Sequence, residues 1–192
     1  MSTAPIESPK TIILHSPISP EVPLFSFRSG QELILEGTLI VARDQAHRRL
    51  VELIDSGKEL PFDPVGAVIY YMGPSPPPPG KLIGAAGPTT SGRMDAFTIP
   101  LLERGVKALL GKGRRSQKVQ EALLQYGALY LAAVGGAGAF YGSLVTKKEL
   151  LAWPELGPEA LLRLEVKNFP CLIAFDLFGS DLYSQGPLEW KL

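Results

Sequence analysis

ELILEGTLIVARDQAHRRLVELIDSG, residues 32–57, changes its hydrophobic period once, between Val41 and Asp44. Up to Val41 the run is apolar and rich in residues that suit a pleated strand. Beyond it, Ala46, Leu50, Leu53 and Ile54 fall on one face of a 3.6-residue period, with Asp44 placed to cap a helix and Gly57 to close it. A strand feeding directly into an amphipathic helix is the repeating unit of α/β folds. Downstream, AVIYYM (Ala67 to Met72) and Ala108 to Leu110 read as strands, and Ala128 to Val134 as another. GPSPPPPG reads as a loop of polyproline II character, and Lys81 to Gly87 as a further short strand. Helices are expected from about Thr98 to Arg104 and from a cap at Ser116 through Tyr126, with a small-residue helix opening at GGAG (Gly135 to Gly138). ELGPEALLRLEV suggests a helix followed by a strand, and CLIAFDLFGSDLY a last strand and hairpin. Residues 1–30 are rich in Pro and Ser and read as an extended arm with one β-like run, Thr11 to His15; residues 31–192 read as a single compact α/β domain with a mixed sheet.

Composition excludes several function classes. With 19 Lys+Arg against 19 Asp+Glu the formal net charge is +0, so the long-range attraction used by nucleic-acid and anionic-membrane binders is missing and any anion site must be local. Twenty glycines and 18 prolines are about a fifth of the chain, which predicts many turns and close backbone approaches. The single cysteine, Cys171, excludes an internal disulfide and any Cys-rich metal or iron–sulfur site built from this chain alone, and points to a reducing, cytoplasmic setting. MSTAPIESPK has no basic segment followed by an apolar one, so no secretory signal is expected there. Ala122 to Thr146 carries no charge and contains a GxxxG (Gly138 to Gly142). Its five glycines break it in the middle, and it reads as folded interior, not a membrane span.

Three short patterns weaken on inspection. GVKALLGKG has one residue too many between Gly105 and Gly111 for a phosphate-binding loop, and Gly113 stands where a hydroxyl residue is needed. GGAG lacks the spacing and the acidic partner of a dinucleotide site. PSPPPPG suits a Pro-binding module, but an internal loop is the commoner explanation. The two histidines, His15 and His47, lie in different elements and are too few for a histidine metal site. His47 follows Asp44 by three residues on one helical turn, where a structural and a catalytic role are equally open; Cys171 reads as core packing. A set of cationic and hydroxyl residues falls in loops at strand ends: Arg43, then Thr89, Thr90 and Arg93 in a glycine-flanked turn, then Lys112 between two glycines. Strand-end loops are where α/β proteins place function, and an arginine fork matches carboxylate geometry. Spacing alone points to a small-anion site or to ordinary turns.

In order, GTLIVARDQAHRRL, YYMGPSPPPPGKLIGAAGPTTSGRMD, GKG, YLAAVGGAGA, ELGPEA and FPCLIAFDLFGSDLY resemble the C-terminal region of the class I (iron–sulfur) fumarases and the β subunit of L-tartrate dehydratase. The resemblance spans nearly the whole chain beyond the arm. Its most specific element is the pairing of ARDQAH with GPTTSGRMD; Ala42 stands where many members have glycine. It implies a swivelling β/β/α domain that packs against a separate cluster-binding region. Such enzymes add or remove water at a 2-hydroxy dicarboxylate with a four-iron, four-sulfur cluster acting as Lewis acid, and in fumarases this is a tricarboxylic acid cycle step. The cluster's three cysteines belong to the other region. The resemblance therefore implies a β subunit, inactive alone, in a hetero-oligomer whose α subunit carries the cluster, with no nucleic-acid or membrane partner. Carried over by motif, Arg43, Arg93 and Lys112 clamp the carboxylates, Thr89 is the base at C3, Thr90 donates a hydrogen bond, and Asp44 and His47 support, Asp44 by orienting Arg43. Fumarate hydratase is the leading expectation and tartrate dehydratase the alternative. A stand-alone anion-binding or structural module is the reading from a different class.

Overall fold

A computed structural model describes residues 12–189. In chain order these form β1 (Ile12–Ser16), β2 (Glu32–Val41), α1 (Asp44–Asp55), β3 (Val68–Tyr70), α2 (Asp95–Glu103), β4 (Ala108–Gly111), α3 (Gln117–Tyr126), β5 (Leu129–Ala132), α4 (Gly138–Ser143), β6 (Val145–Ala152), β7 (Leu161–Phe175) and α5 (Leu182–Glu189). The sheet order is β1-β2-β3-β4-β5-β7-β6, and β2 also pairs with β7. Strands β2, β3, β4, β5 and β7 thus close on themselves, with β1 and β6 flanking the closure. Neighbours among β2 to β5 are parallel, while β7 runs antiparallel to both β2 and β5, so the sheet is mixed and the fold is α/β.

Closure depends on one long strand. Over its length β7 pairs with β2 on one side; on the other it pairs first with β6 and then with β5. Its register against β2 shifts between Leu35 and Gly37, opposite Asn168, which adopts a left-handed φ of 56°. Asparagine tolerates that region better than most residues, and a bulge bends the strand that carries it. Facing it, Gly37 at φ 97° has its backbone so close to Ser16 that a Cβ would overlap the Ser16 carbonyl oxygen.

Period-2 alternation splits the core in two. Val68, Tyr70, Ala108, Leu110, Leu129 and Leu131 point into the barrel with Leu35, Leu39 and Ile173. Ile69, Tyr71, Leu109 and Tyr130 point outward, under Ala46 and Leu50 of α1, Leu101 of α2 and Leu123 of α3. This two-sided burial explains why the central strands read as continuous apolar runs.

The expected β2–α1 unit is present, with Gly57 beyond the helix end at φ 67°. The N-cap is Arg43, not Asp44, which is the first helical residue. Four expectations change. Lys81 to Gly87 forms no strand; it is a loop wall held by Tyr70 Oη donating to the Ala86 carbonyl at 2.5 Å and by the Ala86 N–H donating to Gly138 at 2.8 Å. The expected helix at ELGPEA is a 3-10 segment, Pro154–Glu159, interrupted by Gly157 at φ 55°. The closing hairpin is reduced to a tight turn: Cys171–Phe175 is the end of β7, a single antiparallel bridge joins Phe175 to Asp181, and the chain then enters α5. Strand β6 was not expected. Of the N-terminal arm, residues 1–11 lie outside the described residues, and β1 lies parallel to the first half of β2. Among the described residues no helix is long and apolar enough to cross a membrane.

Candidate active site

Because β2 to β5 are parallel neighbours, their C-terminal ends share one rim. Arg43 follows β2 directly. Thr89 is tied to the end of β3, its N–H donating to the Tyr71 carbonyl at 2.7 Å, and Lys112 follows β4. Thr90 pairs by a parallel bridge with Lys112, which docks the threonine turn on the Gly-Lys-Gly loop. The rim thus brings together residues that lie nearly seventy positions apart in the chain.

Arg43 is mostly buried, its Nη2 lying 3.5 Å from Glu159 Oε1. A Cβ at Gly73 would overlap its Nη1, so this glycine leaves the space that the guanidinium occupies where the Pro-rich loop begins. The Arg43 Nε is buried without a hydrogen-bond partner among the described residues. Asp44 does not hold Arg43 but Arg93: Arg93 Nε donates to Oδ1 at 3.0 Å and its Nη2 lies 2.9 Å from Oδ2. This ion pair, with its one hydrogen bond, joins the start of α1 to the turn before α2, and about half of the Arg93 side chain stays exposed. The side that faces solvent is open to an anion.

Thr89 is half-buried, Thr90 exposed and Lys112 half-buried. The Lys112 side chain runs along the GGAG turn, where a Cβ at Gly135 would sit 3.4 Å from Nζ. That amine borders a cleft of about 370 Å³ lined also by Val134, Gly135, Leu182 and Tyr183. A second cleft of about 330 Å³, around Val22, Leu24 and Val65, opens near the starts of β3 to β5, away from these residues.

His47 is fully buried, its ring edge-on to Tyr71 at 5.2 Å. Its Nδ1 lies 2.9 Å from the Arg43 carbonyl oxygen, and Nε2 has no partner among the described residues. Burial lowers its pKa to about 4, so the ring is neutral at physiological pH and Nδ1–H is the natural donor to that carbonyl. Cys171 sits inside the barrel, where burial pushes its thiol well above the ordinary range. No group of three His, Cys, Asp or Glu side chains suited to a metal ion occurs among the described residues. Among the described residues the donor set, with Cys171 alone inside the barrel, does not fit an iron–sulfur cluster.

Sequence reasoning missed the residues beneath the rim. Ser91, Tyr130 and Arg115 are buried there, and Tyr183 and Glu159 flank it. Arg115 donates to Asp95 and Thr98 at 2.7 Å each, with the rings of Tyr71 and Tyr130 both 5.3 Å from its guanidinium carbon. The available signal was Tyr130 at an outward position of a strand buried on both faces, where a hydroxyl needs a partner.

The family described as Fumarase C-terminus matches residues 4–186. The chain is 46% identical over 165 residues to "Fumarate hydratase class I, anaerobic" of Escherichia coli (strain K12), covering 84% of this chain and 30% of that protein. To "Fumarate hydratase 2" of Leishmania major it is 41% identical over 164 residues, covering 84% of this chain and 29% of the relative. It therefore spans only about 30% of the length of these fumarate hydratases. To "L(+)-tartrate dehydratase subunit beta" of Escherichia coli (strain K12) it is 35% identical over 178 residues, covering 90% of this chain and 87% of that subunit.

Proposed function

The chain belongs to the Fumarase C-terminus family, and from that membership we propose that it is the β subunit of a two-subunit hydro-lyase that reversibly hydrates fumarate to malate. The observation that carries the reading is coverage: the match runs along 87% of a tartrate dehydratase β subunit, and this supports a reading in which a partner chain supplies the rest of the catalytic machinery. The cluster is assigned to that α subunit, which accords with the single cysteine of the sequence and with the lack of a metal-suited group of three among the described residues. A cytoplasmic setting and a swivelling motion of this domain against its partner belong to the same reading. Higher identity to the fumarate hydratases favours fumarate; coverage of the tartrate dehydratase subunit keeps L-tartrate as the second reading. A non-catalytic anion module is the less economical choice, since Arg43, Thr89, Arg93 and Lys112 are all present on adjoining strand ends.

In dehydration, the C3–H bond breaks, its electron pair moves toward the adjacent carboxylate, and the hydroxyl leaves C2. Negative charge therefore grows on a group that already carries two carboxylates. Arg43, Arg93 and Lys112 place positive charge around it, and preorganised charge of this kind is worth most as the charge develops. Thr89 Oγ receives the C3 proton, the same cations stabilising its deprotonated form, and Thr90 donates a hydrogen bond. Asp44 supports by holding Arg93 through an ion pair and one hydrogen bond, and His47 by anchoring the carbonyl of Arg43. The test is to purify the chain with its neighbour under anaerobic conditions and assay malate and tartrate. Turnover of malate together with a partner bearing three cluster cysteines is expected. Turnover of tartrate alone selects the second reading, and an active chain without partner overturns the subunit assignment.

A further inference from the structure

Lys112 and Gly113 carry four backbone polar groups between them, and every one is engaged. The Lys112 N–H donates to Ser91 Oγ at 3.0 Å, and the Lys112 carbonyl accepts the Ser91 N–H at 2.9 Å. The Gly113 N–H donates to Tyr183 Oη at 2.8 Å, and the Gly113 carbonyl accepts from Tyr130 Oη at 2.7 Å. Ser91 Oγ and Tyr130 Oη are themselves 2.9 Å apart.

Counting hydrogens fixes the directions. A carbonyl only accepts, so the one hydroxyl hydrogen of Tyr130 goes to Gly113, and Ser91 must then donate to Tyr130. Burial pushes the Tyr130 hydroxyl well above its ordinary range, so it keeps that hydrogen. The chain runs Lys112 N–H to Ser91 Oγ–H to Tyr130 Oη–H to the Gly113 carbonyl, with each hydrogen used once. Ser91 is fully buried, and a Cβ at Gly111 would overlap its Oγ, so the glycine leaves the space the hydroxyl occupies. Two residues before Ser91 stands Thr89, and two residues after it stands Arg93.

The geometry points to Ser91 as a positioning residue: its buried hydroxyl, linked through Tyr130, sets the register of the Thr89–Arg93 turn against Lys112 without touching substrate. This deepens the hydro-lyase reading and rests on it. A hydroxyl is required there because an apolar side chain leaves the Lys112 N–H without its acceptor and removes the donor to the Tyr130 oxygen, which keeps only its bond to Gly113. Displacement of a reacting group by about 1 Å costs on the order of 10²-fold in rate.

The test uses the assembled α–β enzyme carrying Ser91→Ala, Tyr130→Phe or both, with kcat normalised to assembled, cluster-loaded complex. Each single variant is expected to lose roughly 10–100-fold in kcat and to show a larger isotope effect from deuterium at C3. The double variant is expected to lose no more than the worse single one, because both side chains are links in one chain. An unchanged kcat for Ser91→Ala, or losses that multiply, overturns the inference. A wild-type pair that turns over neither malate nor tartrate removes the hydro-lyase reading instead, which separates the two failures. A second arm needs no turnover. In the full chain alone, Ser91→Ala should speed amide exchange at Lys112 by at least about 10-fold while β4 and β5 keep their protection. Unchanged exchange at Lys112 counts against the positioning role. If Ser91→Ala does not fold, Tyr130→Phe carries both measurements.

Discussion

A threonine hydroxyl in water is far too weakly acidic to serve as a base near neutral pH, so the proposed role of Thr89 depends on what surrounds it. Thr89→Val keeps the volume and removes the oxygen; in the assembled enzyme kcat should fall by roughly 10²–10⁴ with KM little changed. Arg93→Lys keeps the charge but loses the planar guanidinium whose Nε donates to Asp44, so KM should rise and kcat should also fall. Steady-state kinetics on malate separate the two, and a Thr89→Val enzyme with near-normal kcat and only weaker binding moves the base to the α subunit. His47 makes a prediction about stability. Its pKa drops from 6.5 to about 4 on folding because the ring is buried. Above pH 6.5 both folded and unfolded forms are neutral; as pH falls below 6.5 the unfolded chain takes up a proton the folded one refuses, so stability declines until about pH 4. The share is about 3 kcal/mol at 1.36 kcal/mol per pKa unit. Urea midpoints followed from pH 7 to 4 should show that slope, and His47→Gln should flatten it. Equal slopes in the two proteins rule out neutral burial as its cause.

At the scale of elements, the GxxxG of α4 is a packing device. A Cβ at Gly142 would overlap the Gly84 carbonyl oxygen, and one at Gly138 would meet the Gly87 backbone nitrogen at 3.1 Å. The helix therefore lies directly against loop backbone, which only glycines permit. Gly142→Ala should destabilise the chain by about 1–3 kcal/mol through overpacking, read as a lower denaturant midpoint at unchanged m; an unaffected midpoint means the loop yields freely. The same contact explains why Lys81 to Gly87 reads as a strand in the sequence: Ile83 and Ala86 are buried, but in a loop wall that long-range contacts hold in place, while Leu82 is exposed. Strand β6 was illegible for the opposite reason. It lies at the sheet edge, and Thr146 to Leu150 are all exposed, so no alternation marks it. Its lysines, Lys147 and Lys148, suit an unpaired edge. Elements buried by their own local period, such as β2, α1 and α3, were legible. The shared rim was legible as residue types at strand ends, but the partnership of Asp44 with Arg93 depends on helix placement, and Ser91 looks like any turn serine until Lys112 and Tyr130 are brought to it.

Seen as a whole, the molecule is closed at its barrel and open at its rim. The barrel closes through the β2–β7 pairing, and its two cores, inside the barrel and under the helices, are both made from this chain's own side chains. No partner is needed to complete either. The rim is different: the Arg43 Nε is buried without a partner, Arg93 is half-exposed, and nothing among the described residues supplies ligands for a cluster. A chain built this way should fold alone and fail to react alone. Expressed by itself it should unfold cooperatively in urea, and after anaerobic treatment with iron and sulfide it should show neither the brown iron–sulfur absorbance nor turnover of malate or tartrate, since one buried, protonated cysteine cannot stand in for three thiolates. Adding the cluster-bearing α subunit should restore both, with activity rising until the two chains are equimolar. Cluster absorbance with turnover from this chain alone would break the division of labour between the subunits, and a chain that folds only with its partner would place the missing stability at the rim.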